Sequence, residues 1–136
     1  MKTLIVPLAL VALAACKPAE MPQPRDGRAL YDANCAICHG VSGQGDGPAA
    51  SGLDPQPADL TSITRRSGGD FPVAQVLSTI DGYTRAPVAG VNMPEFGLLL
   101  QGDLVPVDTG DGVLSPVPRP LAALLAYLQA IQAEAG

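Results

Sequence analysis

Three residues within five positions can act together chemically: Cys35, Cys38 and His39, in the run Cys35-Ala36-Ile37-Cys38-His39. Two thiols three positions apart lie on one side of a helical turn, where each can form a thioether with one vinyl group of a haem. His39, next in sequence, is then directed at the iron and can ligate it through Nε2. Three other chemistries compete for the same residues. Structural zinc wants four ligands, but His39 is the only histidine and there is no second cysteine pair. A thioredoxin-like redox pair needs a strand before the cysteines and a βαβ pattern around them, and neither is visible. A simple Cys35–Cys38 disulfide leaves His39 without a role. The spacing therefore implies one covalently attached haem c.

Iron held by one histidine needs a sixth ligand or an open site, and a thioether there favours the reduced state. Of the three methionines, Met1 falls in an N-terminal leader and Met21 in a Pro-rich stretch, which leaves Met93 in Val91-Asn92-Met93-Pro94-Glu95-Phe96-Gly97. Pro94 fixes the backbone beside it, and Phe96 can cover a haem face. The competing reading is that Met93 only fills core space, as most methionines do. His39 and Met93 are the expected metal ligands, and Cys35, Cys38, His39 and Met93 the expected cofactor-binding set. No residue is expected to be catalytic.

The third cysteine, Cys16, lies elsewhere. Met1 and Lys2 make a positive start, and Leu4 to Ala15 is an uncharged apolar run of signal-peptide length, short for a bilayer span. It ends in Leu13-Ala14-Ala15-Cys16, which resembles a bacterial lipobox and would make Cys16 a lipidated N-terminus. An ordinary signal peptide with a cysteine nearby is the alternative. The expected organisation is a lipoprotein signal peptide over 1–15, a Pro-rich tether over 16–24 carrying lipidated Cys16, and one domain over 25–136. That places the domain on the periplasmic side of a bacterial membrane, lipid-anchored. From Cys16 onward the chain carries seven Lys or Arg against thirteen Asp or Glu. This net negative charge argues against a nucleic-acid partner.

Positioning these groups falls to elements visible as patterns. Arg25 to Asn34 predicts a first helix with Gly27 and Tyr31 on one face. Gly40 to Asp59 is rich in Gly, Ser, Asp and Pro and predicts an irregular loop able to wrap a flat cofactor, with a carbonyl near Gly47-Pro48 accepting the Nδ1 proton of His39. Asp70-Phe71-Pro72 predicts a capped start to a middle helix whose apolar face is Val73, Val76, Leu77 and Ile80, closed by Asp81-Gly82. Pro118 to Gln132, with Leu121, Leu124, Leu125, Tyr127, Leu128 and Ile131, predicts a terminal helix on which Tyr127 crosses Gly27 at short distance.

Together these features resemble the class I cytochrome c family in its bacterial monohaem form. The resemblance rests on the Gly27 and Tyr31 spacing, the Cys35, Cys38 and His39 turn, Pro57-Ala58-Asp59-Leu60, Met93-Pro94-Glu95-Phe96-Gly97 and the closing helix with Tyr127. It implies an all-α cytochrome c fold, three to four helices around one haem, with a long loop or small hairpin before the C-terminal helix. It also implies a one-electron carrier, not an enzyme, shuttling between redox protein partners such as a membrane oxidoreductase or oxidase complex. The alternatives are a haem-binding subunit of a respiratory or substrate-oxidising complex, and a haem enzyme or gas sensor with an open distal site.

One stretch departs from the family pattern. Leu98 to Val117 is longer than the usual short connection, and its Asp108-Thr109-Gly110-Asp111-Gly112 between apolar runs predicts a hairpin turn. Asp103, Asp108 and Asp111 do not have calcium-loop spacing and are expected to be solvated, and a partner-docking flap is the second reading of the stretch. Arg65 and Arg66 are candidates to pair with a haem propionate, against the commoner solvated role.

Overall fold

The computed structural model describes residues 20–83 and 93–133. The expected signal peptide, Cys16 and the first residues of the tether lie outside them. Helix α1 spans Pro24–Asn34, the one-turn α2 Ala36–His39 and the one-turn α3 Ile63–Arg66. Helix α4 spans Val73–Asp81, and after the antiparallel strands β1 (Leu104–Asp108) and β2 (Leu114–Pro118) comes α5, Arg119–Ala130. The fold is mainly helical, and of the two alternatives before the last helix the small hairpin is the one that forms.

Proline occupies the first turn of α1, where no amide is missed, and the Gln23 amide donates to Asp26 Oδ2 at 2.8 Å. The buried residues of α1 are Gly27 and Tyr31, and they face α5. A Cβ on Gly27 would lie 1.9 Å from the Ala123 carbonyl oxygen and 2.8 Å from Tyr127 Cβ, so only glycine lets the two helices cross this closely. The Tyr31 and Tyr127 rings stack tilted beside the crossing, 5.0 Å between centroids.

Helix α5 is buried nearly all round: Leu121, Ala122, Ala123, Leu124, Leu125, Tyr127 and Leu128. It packs on α1, α4 and both strands. Each leucine fully removed from water contributes about 1.5–3 kcal/mol, which makes this helix the centre of the core.

One local expectation needs correction. Asp70 does not cap α4: the N-cap is Pro72, without a side-chain cap, because the first helical bond runs from the Val76 amide to the Pro72 carbonyl. Asp70 stands two positions too early. Around Arg65 and Arg66, where the sequence pattern predicts no element, a 3-10 turn at Leu60–Ser62 runs into α3. Asp59 starts that turn, its Oδ1 accepting from the Thr61 amide at 2.9 Å and hydroxyl at 2.6 Å. The end of α4 is as expected, with Gly82 in the left-handed region at φ 96°.

In the hairpin, Val105, Val107 and Val117 face the core. The turn carboxylates bond locally: Asp108 Oδ1 accepts from the Gly110 and Gly112 amides, and Asp111 Oδ1 from the Val113 amide.

Candidate functional site

The turn that carries the two thiols and the imidazole is built by backbone bonds. The Cys35 amide donates to the Tyr31 carbonyl at 2.8 Å, and the His39 amide to the Cys35 carbonyl at 2.9 Å, so α2 continues the α1 direction with a break at Cys35. The following loop then folds back on the turn. Gly45 donates to the His39 carbonyl, Gly47 to Cys38 and Ala49 to Ile37, which satisfies carbonyls left open at the end of a one-turn helix. The Tyr31 hydroxyl donates to the Gly40 carbonyl at 2.6 Å from a fully buried ring. Burial, before any neighbouring charge, pushes this phenol well above its ordinary range.

His39 is 8 % exposed. Its Nδ1 lies 2.9 Å from the Ala58 carbonyl oxygen, so as the N–H tautomer it donates there and leaves Nε2 free to bind a metal. This corrects the expectation of an acceptor near Gly47-Pro48. The Gly47 carbonyl is used instead by the Ala50 amide at 2.9 Å. Ala58 is held in place from its next residue, because the Asp59 carbonyl accepts from Arg66 at 2.6 Å while the Asp59 side chain caps the 3-10 turn. The Thr61 hydroxyl holds the Asp59 carboxyl below its ordinary value.

A cavity of about 630 Å³ opens between these elements, with Cys35, His39, Met93 and Phe96 among its walls and apolar closure from Ile63, Leu124 and Leu128. A second cavity of about 230 Å³ has Cys35, Cys38, His39, Met93 and Pro94 among its walls. The two share Cys35, His39, Ala58, Met93 and Phe96 and so open off the same groups. All four residues expected to bind the cofactor thus line one crevice. No disulfide joins Cys35 and Cys38, and before haem attachment burial followed by the neighbouring Cys38 pushes the Cys35 thiol up to about 11. Arg65 and Arg66 are both exposed, but Arg66 also lies on the wall of the larger cavity and donates to Ser62 Oγ.

Met93 reaches the crevice because its loop is stitched to the end of α4. The Phe96 amide donates to the Ile80 carbonyl at 2.9 Å and the Gly97 amide to Asp81 at 3.2 Å. Two thiols, an imidazole and a thioether around an apolar slot suit a covalently held, iron-centred planar group.

Residues 24–100, more than half of the chain, match the family model Cytochrome c. The chain belongs to the cytochrome c family. Over 44 residues this cytochrome c is 43% identical to cytochrome c-554(547) of Halothiobacillus neapolitanus, a stretch covering 31% of this chain and 48% of that protein. The chain thus spans about half the length of the curated relative it matches. As a cytochrome c it carries covalently attached haem c. The hairpin and α5 lie beyond the matched residues.

Sequence reasoning missed two site elements. One is the Ala58 carbonyl. The other is Gln132, whose Oε1 accepts from the Thr64 amide at 2.9 Å while its Nε2 donates to the Leu60 and Leu128 carbonyls at 2.8 and 2.7 Å. That side chain ties the wall formed by residues 60–64 to the end of α5. A polar residue closing a strongly apolar helix is the only trace it leaves in the sequence.

Proposed function

We propose that this protein is a one-electron carrier in which Cys35 and Cys38 form the two thioethers, His39 and Met93 ligate the iron, and Cys16 carries the lipid that holds the domain to the periplasmic side of a membrane. The single observation that carries the ligand assignment is that these four side chains, drawn from α2 with its N-cap Cys35 and from a loop some fifty positions on, line one apolar crevice. When bound, the haem supplies a reversible ferric–ferrous couple. The protein's part is to hold both ligands through that change and to keep water off the iron. Ala58 orients the imidazole and raises its basicity, while the Ile80 and Asp81 carbonyls hold the Met93 loop. A site that does not reorganise needs no bond-making step at each turnover.

The anchor is supported by the Leu13-Ala14-Ala15-Cys16 run and by a third cysteine that the haem turn does not need. Among the described residues no helix is long and apolar enough to cross a membrane. Redox proteins are the partners, a membrane oxidoreductase or oxidase complex among them, and the net negative charge steers the domain toward basic docking surfaces.

The test is the optical spectrum of the matured protein, oxidised and reduced, including the weak near-infrared band of methionine bound to ferric iron. A sharp reduced α-band with that feature, lost in Met93→Ala, is the expected result. A high-spin spectrum that shifts at once with carbon monoxide or cyanide would refute the ligand assignment and leave an open iron.

A further inference from the structure

The hairpin is largely apolar on both faces. An antiparallel pair normally keeps one face for the core and gives the other to water, with polar residues there. Here the inward side chains are Val105, Val107 and Val117, but the outward ones are mostly apolar too: Leu104, Pro106, Leu114 and Pro116, all exposed, with the charged Asp108 only at the turn end. Leu104 and Leu114 are 62% and 63% exposed, and the nearby Leu98 and Leu99 are 88% and 62% exposed. Of the nine exposed large hydrophobic residues among those described, five fall within positions 98–114, namely Leu98, Leu99, Leu104, Val113 and Leu114, and Met21 lies in the groove with Glu20 and Arg119. Scattered exposed leucines need no explanation, but a cluster marks a contact surface.

The N-terminal segment leaves the domain at the same end. Arg119, the first residue of α5, donates through Nη1 to the Glu20 carbonyl at 2.6 Å, and its amide donates to the Asp103 carbonyl, just before β1, at 2.7 Å. Glu20 is therefore fixed at the base of the hairpin, beside Leu104. From Cys16 to Glu20 the chain spans four residues, at most about 14 Å when fully extended.

We infer that the outer face of the hairpin, with Leu98 and Leu99, rests on the lipid surface to which Cys16 is anchored, so that the domain is held in one orientation rather than swinging on its tether. The inference rests on the reading of Cys16 as lipidated. A few exposed leucines bind a bilayer weakly on their own, because affinity follows the buried apolar area. A short tether changes this, since it presents the face to the surface at an effective concentration of about the millimolar order. The contact is apolar in kind: the charges near it are Asp103, Asp108 and Asp111 against Arg119, which is already occupied. It therefore favours zwitterionic over anionic lipid and survives salt. A second copy adding a strand is opposed by the sequence, because Pro106 and Pro116 face each other and deprive each strand of an amide at its centre.

The experiment uses the full lipidated holoprotein in planar bilayers of zwitterionic phosphatidylcholine, with the haem as its own reporter. Polarised absorbance of the Soret band is compared for the native chain and the L98Q/L99Q/L104Q variant, whose α-band and far-ultraviolet circular dichroism confirm the fold. Dichroism in the native protein, unchanged by salt and lost in the variant, is the expected outcome. Isotropic absorbance in both, or dichroism that the variant retains, overturns the docking face while leaving the anchor intact. Failure of the native chain to float with vesicles removes the anchor and the docking face together. Concentration-dependent dimerisation of the C16A protein, abolished by the three glutamines, would assign the face to a second copy and overturn the lipid contact.

Discussion

A Cβ placed on Gly27 would lie 1.9 Å from the carbonyl oxygen of Ala123, ninety-six positions later in the chain. Neither atom can retreat easily, since one sits in the middle of α1 and the other in the backbone of α5. Gly27→Ala is expected to lower stability by about 3 kcal/mol, the upper end for overpacking, despite alanine's better helix propensity. Guanidinium unfolding of the holoprotein measures this. A stabilised variant would show that the crossing tolerates separation.

Asp59→Ala removes the cap of the 3-10 turn next to the carbonyl that orients His39. A lost cap costs about 1 kcal/mol. The Asp59 carboxyl is held below its ordinary value, so its contribution is present above the unfolded carboxylate range, about pH 4, and is lost as pH falls through the lower folded value. The stability gap between native and variant proteins is accordingly expected at neutral pH and closes in acid. Weaker ordering of Ala58 also makes the imidazole a poorer donor to iron, so the midpoint potential should rise, as redox titration would show.

Gly82→Ala tests the Met93 loop. Its φ of 96° is costly for any side chain, and an added Cβ would lie 2.4 Å from Glu95 Cγ, two residues from Met93. The expected result is a loss of about 1–2 kcal/mol and a weakened near-infrared methionine band, read by absorbance across a pH series.

Gln132→Ala leaves the Thr64 amide and the Leu60 and Leu128 carbonyls without their side-chain partner. A cost of about 1–3 kcal/mol is expected, with faster hydrogen exchange concentrated at residues 60–64 and slower change elsewhere. Uniformly faster exchange would show instead that Gln132 supports the whole fold.

What could be read in advance divides along physical lines. The thiols, the imidazole and Met93 were legible because their chemistry is carried by residue type, and the close crossing at Gly27 because the missing side chain is itself a signal. The turn at Asp108 to Gly112 was legible for the same reason. The Ala58 carbonyl was not, because every residue has a carbonyl and selection among them depends on how a loop of nineteen positions closes. Asp70 misled because a good capping residue matters only at the position where the first helical bond forms, and that position was set by Pro72.

The crossing of α1 and α5 joins segments from opposite ends of the chain, and Leu124 and Leu128 of α5 also wall the crevice. In order of synthesis, the thiols of Cys35 and Cys38 emerge early and the wall that encloses them emerges last. Until α5 packs against α1, the slot around both sulfurs lacks one of its walls. A haem joined to Cys35 and Cys38 before α5 docks would not have to pass through a finished entrance.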